Sequence, residues 1–307
     1  MRANHRRIFA LLFLVFFLSG VIFLLSPVLP AFAETEEAVK TLSPEQKQLT
    51  DRMLKFMEEM DKKYFDRVYK LNGNSESETK EFLNEYSDYD IKVTRGAVVE
   101  KMGRMLAIGN KASPDSRLPG NLLWGRFYSI DAHPKSPLVG MLHATIVVQV
   151  FDSGISFAGG WLGILPGTRI EEDLNELKKG VDSIFAKYEK SPDYNRELIC
   201  KGDPKEIVRE WRRKPACVGV SFYGRPLFME TDKNFDIVSE VFVNFVDTYM
   251  NLVEKHKDSP FTEKDIEAQD KMRKEWLLDQ LFSDPYASNI VPFEVWSLAN
   301  VPPVIKF

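Results

Sequence analysis

The run His143–Phe151 (HATIVVQVF), the triplet Asp152-Ser153-Gly154 and a second apolar run from Ile155 to Leu165 constrain the fold more than any other stretch. Ile146, Val147, Val148 and Val150 suit a pleated, buried strand, and Asp-Ser-Gly supplies turn residues. Two apolar runs joined this closely form a hairpin, so they pair antiparallel. Shorter strand-like segments precede them at Ile91–Thr94, Arg104–Ile108 and Leu122–Ile130, each bounded by Gly, Asn, Pro or Asp. Cys217–Tyr223 (CVGVSFY) and the tail Val291–Phe307, extended and proline-rich, add further strand character.

Helical patterning lies before and after these strands. Ser43-Pro44-Glu45 offers an N-cap followed by proline at the first helical position, and Leu49, Met53, Phe56, Met57, Met60, Tyr64 and Val68 then recur at three- and four-residue steps as far as Asn72-Gly73. The polar residues 74–89 read as a loop. Thr168-Arg169-Ile170-Glu171 has the spacing of a capping box, opening a helix with Leu174, Leu177, Val181, Ile184 and Phe185 on one face. A long helix is expected from about Asp232 to His256, and another, capped by Thr262, to Leu281. Hairpin-joined strands grouped apart from long helices predict an α+β fold with an antiparallel sheet, not a doubly wound βαβ unit. No composition shift marks a boundary after residue 40, so 34–307 is read as one domain.

Residues 1–33 belong to a different class. Arg2, Arg6 and Arg7 precede an apolar run from Ile8 to Leu25, and Ala31-Phe32-Ala33 gives the small-x-small pattern of a cleavage site. The expectation is a signal peptide and an exported domain in a periplasm, lumen or extracellular space. An uncleaved anchor is the alternative, because ~18 apolar residues can span a bilayer; the membrane would then be met through the N-terminal segment alone. Cleavage removes three arginines and no acid, so 41 basic side chains become 38 against 45 acidic ones. That balance argues against nucleic acid as a partner. The two cysteines, Cys200 and Cys217, can pair in an oxidising compartment or remain as buried thiols.

No nucleophile elbow, P-loop, HExxH or dinucleotide fingerprint is present. Of four histidines, His5 lies in the export segment and His256 reads as a solvated residue near a helix C-terminus, flanked by Lys255 and Lys257. His133 lies in Ser129-Ile130-Asp131-Ala132-His133, where alternation places 129, 131 and 133 on one strand face and Asp131 can orient an imidazole. His143 opens the apolar strand. A zinc site from Asp131, His133 and His143 has suitable ligand types but not a metal-binding spacing, and no metal is predicted. Arg209, Arg212, Arg213 and Lys214 read as a solvated helix face.

The stretch His133-Pro134-Lys135-Ser136-Pro137-Leu138-Val139-Gly140-Met141-Leu142-His143-Ala144 resembles the signature segment of the oxygen-dependent coproporphyrinogen III oxidases, with the same spacing between its histidines. Ala97-Val98-Val99-Glu100-Lys101 with Gly103, Phe157-Ala158-Gly159-Gly160 followed by Glu171-Glu172-Asp173, Val218-Gly219-Val220-Ser221-Phe222, Val253-Glu254-Lys255-His256-Lys257 and Val301-Pro302-Pro303-Val304 resemble other parts of that family, in the same order, from about residue 45 to 307. The resemblance implies a broad antiparallel sheet flanked by helices on both faces and a homodimer. It implies turnover of coproporphyrinogen III propionates to vinyls with O2 and no cofactor. It also implies His143 as the acid/base and Ser129, His133 and Thr145 among the ligand contacts. The chain departs from the pattern where it would grip acids. Thr145-Ile146-Val147 replaces the family's Asn-Val-Arg, and Gly163-Ile164-Leu165-Pro166 replaces its Asp-Leu-Thr-Pro. An apolar valine cannot hold a propionate as a guanidinium does. The expectation is therefore a divergent member that binds a tetrapyrrole or similar flat ligand without decarboxylating it, with Phe157, Trp161, Phe222 and Trp296 as candidate lining. The alternative is an active oxidase using His143 with Arg126, Lys135 or Arg225 as replacement cations.

Overall fold

A computed structural model describes residues 42–112, 119–201, 212, 214–223, 227–228, 232–283 and 291–307. Seven strands form one antiparallel sheet in chain order: β1 (Ser77–Phe82), β2 (Ser87–Thr94), β3 (Val99–Gly109), β4 (Leu122–Pro134), β5 (Met141–Phe151), β6 (Ser156–Leu165) and β7 (Val220–Ser221). A further short strand, β8 (Leu227–Phe228), also pairs with β6. The described helices are α1 (Pro44–Asn72), α2 (Glu171–Lys187), α3 (Asp193–Lys201), α4 (Asp232–His256), α5 (Glu263–Phe282) and α6 (Phe293–Ala299). The α+β class and the antiparallel pairing read from the hairpin are those of the structure.

Alternation along the central strands sorts the sheet into two faces. One carries Leu106, Tyr128, Ile130, Leu142, Ala144, Ile146, Val148 and Leu162, which share a single core with α1, α2 and α4. There Phe56 meets Phe242 edge-on at 5.4 Å, and the Tyr249 hydroxyl donates to the Gly140 carbonyl at 3.0 Å, fastening α4 to the sheet. On the opposite face Ile91, Val93 and Met105 pack under Val295, Trp296 and Ala299 of α6, and Met141 and Leu165 under Met272 and Trp276 of α5. Val147, Phe151 and Phe157 form a third patch on that face, with Phe127 against them. Helices thus cover both faces. Gly103 is what lets α6 come so close: a Cβ there would collide with the Ala299 carbonyl.

Ser43 and Gln46 form a capping box at α1, as the Ser-Pro-Glu start suggests. Several other expectations are corrected. Residues 74–89 contain β1 and the start of β2. Because β1 is an exposed edge strand, its side chains carry no alternating apolar signal, and pairing such as Lys80 opposite Ile91 defines it instead. Thr168 does not cap α2. Its hydroxyl donates to Asp265 Oδ1 at 2.7 Å, and Ile170 occupies the N-cap without a side-chain bond. The strand expected over Cys217–Tyr223 shortens to Val220–Ser221, although Ala216 N and Phe222 N still donate to Ile164 O and Gly160 O of β6. The tail is not extended throughout, since Phe293–Ala299 is helical and buries Val295 and Trp296. Cys200 of α3 and Cys217 are joined by a disulfide. The expected signal segment lies outside the described residues; among the described ones no helix is long and apolar enough to cross a membrane.

Candidate functional site

The face beneath α5 and α6 carries an unusual polar group at its centre. In the register of β3, β4, β5 and β6, Lys101 lies opposite His133, and Gly103, Asp131, His143 and Gly163 form a row across the four strands. Met105, Ser129, Thr145 and Trp161 form the next row. Ser129, His133, His143 and Thr145 therefore share one face, as their strand positions predict.

Asp131 is fully buried, and His143 Nδ1 meets its Oδ1 at 2.8 Å, while the histidine side chain keeps 30% of its exposure. The other carboxylate oxygen, Oδ2, accepts from Asn300 Nδ2 just beyond α6. A carboxylate accepts, so His143 carries a hydrogen on Nδ1, and in the neutral ring Nε2 keeps its lone pair for whatever approaches from solvent. His133 is fixed differently. Its Nε2 lies 2.9 Å from the main-chain oxygen of Asn300, which can only accept, so Nε2 carries the hydrogen. Burial pushes the His133 imidazole well below its usual pKa, and the nearby Lys101 and Arg273 charges push it the same way. The ring is neutral and sealed beneath the tail.

Lys101, 2% exposed, donates to Val301 O at 2.6 Å and Ser297 O at 3.4 Å, so strand β3 also grips the end of α6. Burial brings its ammonium down to about 7, with Arg95 adding to the effect and Asp131 opposing it. Arg273 of α5 pairs with Glu100 at 2.7 Å and also reaches Pro134 O. Thr145 Oγ1 accepts from Trp161 N at 2.8 Å and shares a hydrogen bond of 2.8 Å with the exposed Tyr223 hydroxyl. Ser129 is buried, and its Oγ has no hydrogen-bond partner among the described residues. The Trp161 ring lies over Gly163, where a Cβ would strike it, with its centre 5.2 Å from the His143 ring. Further along, Val147 stands opposite Phe127, so the floor beyond His143 is apolar.

Several sequence-based expectations change here. Asp131 orients His143 across the strand pair, not His133 on its own strand. Residues two apart on one strand are separated by ~6.5–7 Å, whereas directly opposed Cβ atoms lie ~5 Å apart. Arg126 cannot serve this site: it points to the other face, its Cζ 4.8 Å from the Trp124 ring centre and Nη1 donating to Gly125 O. Lys135 is exposed just past β4, and Arg225 lies outside the described residues. Phe222 stacks on Phe185 beneath α2, away from the histidines, and Trp296 is committed to the packing of α6; Phe157 and Trp161 do share the site's face. His256 is not a solvated helix end. It is buried, with Nε2 2.7 Å from Asp173 Oδ2, locking α4 to the start of α2. Of the basic cluster, Arg212 pairs with Asp279 and Lys214 is exposed, whereas Arg209 and Arg213 lie outside the described residues. Among the described residues no three His, Cys, Asp or Glu side chains gather as metal ligands.

Sequence reasoning missed Asn300 and the burial of Lys101. The polar Lys101 amid Val99, Met102 and Met105 was a signal, and Asn300 ahead of Pro302-Pro303 marked a helix end. No protein-family model matches the chain.

Proposed function

We propose that this chain is a divergent, exported relative of the coproporphyrinogen oxidases that holds a flat tetrapyrrole-like molecule against the sheet face bearing His143 and Trp161, without oxidatively decarboxylating it. The observation that carries the reading is the Val147–Phe127 pair on the floor two rows beyond His143. Where the resemblance calls for a guanidinium to hold a propionate, this floor offers apolar surface with Trp161 at its edge, which suits a macrocycle's face better than its acids. His143 Nε2 then supplies a polar contact to a pyrrole N–H or a substituent. Addition of coproporphyrin or protoporphyrin to the mature domain should shift the visible absorption bands, and His143→Ala with Trp161→Ala should abolish the shift. Aerobic incubation with coproporphyrinogen should yield no vinyl product.

The Asp131–His143 pair favours one second reading, an active oxidase in which His143 moves a proton at the substrate. Oxygen-dependent formation of protoporphyrinogen, lost in His143→Ala, would establish it in place of the first. Absence of both the band shift and the product would dismiss both.

A further inference from the structure

We infer that Asn300 is a positioning residue for His143, selecting through Asp131 which ring nitrogen carries the hydrogen and so whether the outward Nε2 accepts or donates. The inference stands on the geometry of the four residues and holds whatever ligand the face takes. Asn300 uses both of its polar ends on this site. Its main-chain oxygen accepts from His133, and its side-chain amide donates to Asp131 Oδ2, while Asp131 Oδ1 accepts from His143. One residue of the C-terminal tail thus ties together the two histidines of the motif.

The side-chain amide matters because Asp131 is wholly buried. A buried carboxylate oxygen without a donor is costly. The neighbouring cations do not replace the amide: Lys101 on β3 spends its ammonium on Val301 O and Ser297 O, and Arg273 on α5 spends its guanidinium on Glu100 and Pro134 O. With His133 neutral, the charge of Lys101 reaches Asp131 only through space. Once the amide is removed, nothing holds Oδ2, the carboxylate is free to turn away from Nδ1, and the bond that fixes the ring hydrogen on Nδ1 is lost. The hydrogen then moves to Nε2. The outward nitrogen then turns from an acceptor into a donor. Asn300 prevents this by stabilising the carboxylate at the oxygen that His143 does not use.

The test is nitrogen-detected NMR of the imidazoles in Asn300→Ala and in the volume-preserving Asn300→Leu, with His143→Gln to assign the signals. The unsubstituted protein should show a hydrogen on His143 Nδ1 with a downfield proton resonance, and a hydrogen on His133 Nε2. Both variants keep the main-chain oxygen that His133 uses, so His133 is the internal reference. Loss of the His143 Nδ1–H resonance in either variant, with His133 unchanged, supports the assignment. Retention of both signals in both variants overturns it. So does loss of both signals in both variants, because the side chain would then be holding the tail in place and not tuning the dyad.

Discussion

Replacing Lys101 with methionine should change how stability depends on pH, and the size of the change follows from the burial of its ammonium. The folded-state pKa lies at about 7, whereas an unfolded lysine titrates near ~10.4. A lowered folded pKa means that the unfolded chain binds more protons between these values, so stability rises with pH across that window. Below about pH 6 both states are protonated and the full cost of the buried charge is present, about 5 kcal/mol at ~1.4 kcal/mol per pH unit; above about pH 10.5 none of it remains. Integrated from about pH 6 to about pH 9, the protein should gain about 2.5 kcal/mol that Lys101→Met does not. Methionine also leaves the Val301 and Ser297 carbonyls without their donor, a loss of about 1–3 kcal/mol that does not vary with pH and drops out of the comparison. His133, neutral throughout the window, drops out as well. Urea unfolding of the oxidised protein and the variant at both pH values measures the difference of differences. A value under about 0.5 kcal/mol, or one of opposite sign, would refute the reasoning, showing that the carbonyls of the tail hold Lys101 charged through the whole range.

Two further outcomes are expected. Gly103→Ala should destabilise by about 1–3 kcal/mol in urea and should shift the His133 and His143 ring resonances together, because the new methyl meets the Ala299 carbonyl and lifts α6 with Asn300. Cys200→Ser with Cys217→Ser should cost about 3 kcal/mol by the chain-entropy account of a 17-residue separation, read as a lower urea midpoint, and unchanged midpoints would show that α3 needs no tether.

How legible these features were depended on whether a residue's role was set by its own segment. The hairpin of β5 and β6 was plain because its apolar residues, its turn and its pairing all lie in one stretch. The helices α1, α4 and α5 were plain for the same reason: caps and periodicity are local signals. β1 was invisible because an exposed edge strand is defined by main-chain bonds to a neighbour, which composition does not record. Thr168 had the right spacing for a cap and lost it to a stronger acceptor on α5, Asp265, almost a hundred positions away. Alternation placed Ser129, Asp131 and His133 correctly on one face, and the resemblance brought His143 and Thr145 to attention. Neither could say that Asp131 would choose the histidine across the ladder, because that depends on strand register.

The same reasoning explains why the centre of this sheet tolerates a lysine, an aspartate and a histidine where a core would ordinarily be apolar. Each needs partners when buried, and the main-chain groups of the neighbouring strands cannot supply them, since they are already spent on the ladder. The tail supplies them instead. The end of a short helix leaves carbonyls unpaired, and here those of Ser297, Asn300 and Val301 receive Lys101 and His133, while the Asn300 amide completes Asp131. Two sets of groups that would each be costly alone, a helix end and a buried charged row, satisfy one another. Packing of α6 and the geometry of His143 are consequently one interaction system. A change that loosens the tail should disturb the imidazole even when it lies two strands away from it, as Gly103 does.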